Sequence, residues 1–230
     1  FPHALVPEHA RLIHEGQEIV AWRLVFYIVM IFGCFTAAFV VSVWTAPLFY
    51  VEILGPGLEG QTISDASLMV RFFAVAFGLM LVVGAIGSLL QNHDIFWLPT
   101  ITQSFVNCGM VVAILSIGRS NGAVALSLGV LTGVFLALLL HFYMLFTKAR
   151  MADISLNQAC RPPPANVLGR ILWKMCPLFV LVILSNVVLI IVNRELSSLP
   201  VGTLASFGFA HKLGWLAVLL PISLSTVLFP

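Results

Sequence analysis

Six long apolar runs, joined by short polar stretches, leave this chain few ways to fold. They cover residues 20–48, 68–90, 95–117, 123–146, 171–192 and 201–229. About 20 apolar residues cross the hydrocarbon core of a bilayer as a helix. Each run is longer than a strand needs, and none alternates as the wall of a membrane barrel does. A soluble domain carries about 25% charged residues. Here 9% are charged and 60% hydrophobic, with a mean hydropathy of +1.08. That composition cannot cover a surface facing water, so the expected class is all-α, a multi-span transmembrane helical bundle of six spans. The net charge of +2 is no footprint for nucleic acid.

Between the fourth and fifth runs lies the stretch 147–174, TKARMADISLNQACRPPPANVLGRILWK. It holds Lys148, Arg150, Arg161, Arg170 and Lys174 against one acid, Asp153. Its Pro162-Pro163-Pro164 run cannot continue a helix, since proline lacks the N–H and clashes with the turn before it. Lys and Arg resist translocation, which puts this stretch on the cytoplasmic side. The loop 49–67 has Glu52, Glu59 and Asp65 with no Lys or Arg, and is expected outside. Three spans separate the two, so parity agrees with charge. The turn 91–94 then lies inside, and the turns near Arg119 and Arg194 outside, two arginines that weaken the rule slightly.

The opening stretch 1–19 mixes three His, three Glu and one Arg. It reads as a connector on the inner face, with His3, His9 and His14 solvated. Their spacing places them on no common helical face and marks no metal site. The four cysteines show no CxxC pairing and read as free thiols: Cys34, Cys108 and Cys176 in apolar runs, Cys160 in the basic stretch. The chain opens on Phe1 without Met and stops at Pro230, at the end of an apolar run, which reads as a fragment of a longer membrane protein.

Some residues within the runs bear on packing. Pro177 and Pro221 each remove a helix hydrogen bond, and neighbouring helices re-satisfy the freed carbonyls. Gly129 and Gly133 make a GxxxG step, and Gly202, Ser206, Ala210 and Gly214 a longer ladder of small residues, both of which let another helix approach closely. Gln103 and Asn107 read as amides bonding across helices. Arg23 and Arg71 stand near span ends, where a long side chain reaches the interface. His141 stands near the inner end of its run and reads as interfacial.

An ionisable residue inside the membrane is a functional candidate by default. Lys212, next to His211, lies eleven residues past Val201, hence about 16 Å along a helix rising 1.5 Å per residue. It needs a carboxylate, a wet cavity or an anionic ligand, and no acid of this chain lies at comparable depth. A pairing with an acid elsewhere is the rival explanation. Ser185 and Asn186 are the neighbouring candidates in the fifth run, with packing as their rival role. Enzyme signatures are absent: there is no HExxH, no GxSxG and no P-loop, and Gly55-Pro56-Gly57 reads as a turn. No cofactor is expected.

Several stretches, in order, resemble one family. HALVPEH is similar to its segment after the second span. VRFFAVAFGLMLVVGAIGSLLQNHDIFWLPTITQSFVN resembles its fourth and fifth spans, with Arg71, Phe96, Pro99 and Asn107 in place. KMCPLFVLVILSNVVLIIVN resembles the seventh, and GTLASFGFAHKLGWLAVLLPISLSTVLFP the eighth, where an A-x-R-L step precedes T-x-L-x-P. The family is the MurJ (MviN) lipid II flippases of the MOP exporter superfamily. The resemblance implies a two-lobe transporter of lipid-linked saccharides working by alternating access in the bacterial inner membrane, for cell-wall synthesis. It implies a cavity between the lobes with cations on the lipid pyrophosphate. Residues 1–146 then correspond to spans three to six of the first lobe. Residues 147–170 form the cytoplasmic linker, and 171–230 begin the second lobe with spans seven and eight. The substrate-binding candidates are Lys212, where the family step has arginine, with His211, Asn186 and Ser185. An ammonium keeps the charge and loses the bidentate fork, which leaves a related undecaprenyl-pyrophosphate saccharide open beside lipid II. The expected partners are that anionic lipid-linked saccharide and membrane lipid. The rivals are another MOP exporter, an O-antigen or exopolysaccharide flippase, and an inactive structural relative. A membrane glycosyltransferase would need carboxylates at the membrane face, and the turn 91–94 offers only Asp94.

Overall fold

The computed structural model describes residues 2–58, 60–91, 93–151, 161–200, 202–203 and 205–214. The described residues form α1 (Pro2–His14), α2 (Glu18–Thr45), α3 (Pro47–Leu54), α4 (Gln61–Gln91), α5 (Trp97–Met151) and α6 (Ala165–Ser197). Residues 205–214 are also helical. Among the described residues three helices are long and apolar enough to cross a membrane: α2, α4 and most of α5. Three helices, rather than the expected six, meet that criterion among the described residues.

The third of these helices is two arms. Gly122, at φ 49 and ψ −124, breaks the helical path. A Cβ on Gly129 would lie 2.6 Å from the Gly109 carbonyl oxygen, and one on Gly133 would fall against the Phe105 backbone. Those contacts require residues 97–121 and 123–151 to lie antiparallel, backbone on backbone. The GxxxG step thus packs as its pattern implies. In the small-residue ladder, Gly202 and Gly214 have nothing within 4 Å of a would-be Cβ among the described residues.

Helix α4 is the hub, in contact with α1, α2, α3 and α5. Its residues Val82, Val83, Ala85, Ile86, Leu89 and Leu90 are all buried. Where α2 crosses it, the Thr36 hydroxyl donates to the Gly78 carbonyl at 3.0 Å, and a Cβ on Gly78 would collide with the Thr36 methyl. A main apolar cluster gathers Leu5, Leu12, Trp22, Ile86, Leu98 and Ile171 from α1, α2, α4, α5 and α6. Away from it the helices are apolar and bare: Leu115 and Trp173 are each 81% exposed. Side chains of that kind, placed so, suit a lipid surround.

The opening stretch is not a loop. It forms α1, which ends where Gly16 takes φ 72. There the Gln17 N–H reaches the Leu12 carbonyl and the Gly16 N–H that of Ile13, a Schellman stop. Asp94, at φ 60, ends α4 with the same pair of bonds, Ile95 to Leu90 and Asp94 to Gln91. His14 is exposed as expected, but His9 is fully buried. It lies edge-on to Trp22 and to His93, at 6.4 and 5.7 Å between centroids.

Other boundaries move too. The acidic stretch after the first run contains α3, opened by Pro47, whose missing N–H costs nothing in a first turn. In the basic stretch the helix continues to Met151, and α6 starts at Ala165 behind the prolines, so Arg170 and Lys174 stand on a helix. His141 is fully buried in the protein, and its Nδ1 lies 2.8 Å from the Ala137 carbonyl. Gln103 donates to Asn107 at 3.2 Å along its own helix rather than to another. Arg71 sits over the Trp44 ring at 5.8 Å. Cys34, Cys108 and Cys176 are free thiols. Cys160 and Pro221 lie outside the described residues.

Candidate functional site

Lys212 and His211 stand on the helical run 205–214, and both are exposed. The His211 ring stacks on Phe207, one turn back, at 5.9 Å and 23°. Among the described residues no acid pairs with Lys212. On α6, Ser185 is exposed and spends its hydroxyl proton on the Leu181 carbonyl at 2.9 Å, the usual back-bond of a serine with no better acceptor. Its oxygen lone pairs stay open to a donor. Asn186 follows it and is also exposed. The two pairs stand on separate helical stretches, Ser185 and Asn186 on α6 and His211 and Lys212 on 205–214.

A charged cluster that inspection of the sequence missed lies where α1 meets the first turns of α6. Glu8 is 2% exposed. Its Oε1 accepts from Arg11 Nη2 at 2.8 Å and lies 3.5 Å from Arg170 Nη2; its Oε2 lies 3.6 Å from Lys174 Nζ. Arg11 also holds Glu15, so it spans two carboxylates of its own helix. Burial works to raise the Glu8 pKa, but the Arg11 hydrogen bond and the charges of Arg11, Arg170 and Lys174 together hold it below the usual carboxylate value. A buried carboxylate persists only when paired in this way. One trace was visible beforehand: Arg170 and Lys174 are four apart and share a helix face.

A second feature lies inside the bundle. Gly87, Ser88, Gln91, Pro99, Thr102 and His141 line a cavity of about 290 Å³ between α4 and both arms of α5. The hydroxyls of Ser88 and Thr102 donate to their own helices, at Gly84 and Leu98. With Nδ1 facing a carbonyl, the neutral His141 carries its proton there, and Nε2 is left as a buried acceptor with no partner among the described residues. Among the described residues no cluster could hold a metal ion.

Comparison with known proteins bears on what these helices do. The family model for lipid II flippase MurJ matches residues 1–230. A Helicobacter pylori protein named probable lipid II flippase MurJ is 27% identical over 148 residues. That match takes in 63% of this chain and 31% of the relative, so the chain spans about a third of that protein's length. With its whole length matched, the chain belongs to the MurJ lipid II flippase family.

Proposed function

We propose that this chain is part of a flippase that carries an undecaprenyl-pyrophosphate saccharide, lipid II or a close relative, across the inner membrane by alternating access. On this reading the chain contributes six crossings. Residues 1–146 belong to one lobe, 147–170 to a cytoplasmic linker and 171–230 to the start of the other. The sparse packing of α6, which touches α1 and α3 and leaves most of its length bare, supports a separate lobe.

The observation that carries the reading is Lys212. It is a cation deep in an apolar run, exposed, with no acid beside it among the described residues. A charge in that position is stable only against water in a cavity or against an anion. A pyrophosphate supplies the anion, and an ammonium grips it as a point charge. His211, Ser185 and Asn186 are the proposed polar companions for the saccharide end.

The experiment is complementation of a flippase-depleted strain, with substrate translocation measured directly. Lys212→Ala is expected to lower translocation about ten- to hundredfold at normal expression, the loss of one charge-assisted contact. Lys212→Arg retains it. Normal transport by Lys212→Ala overturns the site.

A further inference from the structure

The Glu8 cluster joins two parts of the chain that the proposed function assigns to different lobes. Glu8 and Arg11 belong to α1, in the first; Lys174 lies on the part of α6 that begins the second, and Arg170 at its edge. The same turns of α6 present Val167, Ile171 and Met175, spaced by four, to the main apolar cluster, all at most 6% exposed. Beyond Met175 that burial stops: Val180, Leu181, Ile183, Leu184, Val187 and Val188 are exposed. The inner end of α6 is therefore clamped, and the stretch that follows is bare.

The clamp is built to come apart. Arg170 and Lys174 side chains are about half exposed, at 48% and 51%, while Glu8 is at 3%. When the two elements separate, the cations pass into water at small cost, and Glu8 keeps its Arg11 bond. A carboxylate that stays paired in both arrangements avoids the penalty of a buried bare charge. The two long contacts, 3.5 and 3.6 Å, are the ones that break; the short one stays within its helix.

We propose that Glu8, Arg170 and Lys174 form a latch that holds the cytoplasmic end of α6 against α1, and that it opens when the cytoplasmic mouth of the transporter opens. Glu8 is a positioning residue: it touches no substrate and sets how long α6 stays docked. The lobe assignment is the part of the proposed function on which this rests.

The test is made in inverted vesicles carrying the protein with its native cysteines replaced by serine. Ile171→Cys, buried under the latch, reports opening by its rate of reaction with a water-soluble maleimide. Glu8→Gln is expected to raise that rate about five- to tenfold, the loss of charge-assisted contacts. Glu8→Lys combined with Arg170→Glu and Lys174→Glu is expected to bring it back toward the parent rate. An unchanged rate in Glu8→Gln, or a reversed set that stays fast, overturns the latch. Labelling needs no substrate, so this result is separate from the Lys212 assay. Translocation lost by Lys212→Ala with an unaltered Ile171→Cys rate in Glu8→Gln upholds the function and rejects the latch.

Discussion

His9 is neutral in the folded protein at neutral pH because burial penalises its charged form. Burial pushes its pKa down to about 4, and the neighbouring His93 adds to the shift. His93 itself is lowered, first by burial and then by Lys148, with Glu18 and Asp94 pulling the other way. An unfolded histidine titrates near 6.5. Unfolding then takes up a proton at mildly acidic pH, so the stability that His9 contributes is present in full above about pH 6.5. It is lost as pH falls from there toward about 4. The loss by pH 5 is on the order of 1–2 kcal/mol. Thermal unfolding of detergent-solubilised protein at pH 7.5 and pH 5 measures it. His9→Leu is expected to flatten the difference, and an undiminished pH dependence in that variant assigns it to other groups.

At the scale of the element, the two arms of α5 are held by what their glycines lack. Gly109, Gly129 and Gly133 let the backbones meet where any side chain would collide. In lipid, where apolar burial drives no association, such close packing supplies the attraction between helices. Gly129→Leu or Gly133→Leu is expected to cost about 1–3 kcal/mol or more through overpacking. Gly169→Leu, at a position with nothing within 4 Å of a would-be Cβ, is the matched control and is expected to change the melting temperature little. The same contrast shows what the sequence made legible. A small-residue step encodes its own partner surface, and an apolar run of span length encodes a helix, so α2, α4 and both arms of α5 were readable. Helix ends were not: α4 begins at Gln61, several polar residues ahead of its apolar run, because a helix leaving the membrane needs no apolar side chains. Nor was the facing of His141, since a helix apolar on all sides gives no clue to which side meets protein. Glu8 and His9 were missed for a third reason. Their burial depends on α6 and the turn after α4, more than 80 residues away in the chain, and local polarity spoke for solvent.

For the whole molecule, the contacts sort the ends of the helices as charge does. At one end lie Glu8 with Arg170 and Lys174, His9 with His93, and the pull of Lys148 on His93. That gathers the start of the chain, the turn after α4, the end of α5 and the start of α6. At the other end, a Cβ on Gly57 would meet the Ser197 backbone, which brings the stretch after α3 beside the end of α6. Successive ends alternate, as a chain that crosses a membrane on each long helix requires. The basic end carries Arg11, Lys148, Arg170 and Lys174, and the opposite end carries Glu52 and Asp65 beside Arg119 and Arg194. On the rule that Lys and Arg stay inside, we propose that the first end faces the cytoplasm. Labelling of intact cells with an impermeant maleimide tests it, with Cys34, Cys108 and Cys176 replaced by serine. Cys160, in the basic stretch, is expected to stay unlabelled until the membrane is permeabilised. Asp65→Cys, exposed at the start of α4, is expected to label at once. The reverse pattern inverts the molecule, and would place the Glu8 latch at the periplasmic mouth; labelling of both positions from outside would mean an even number of crossings between them, and would overturn the reading of α4 and the two arms of α5 as three crossings.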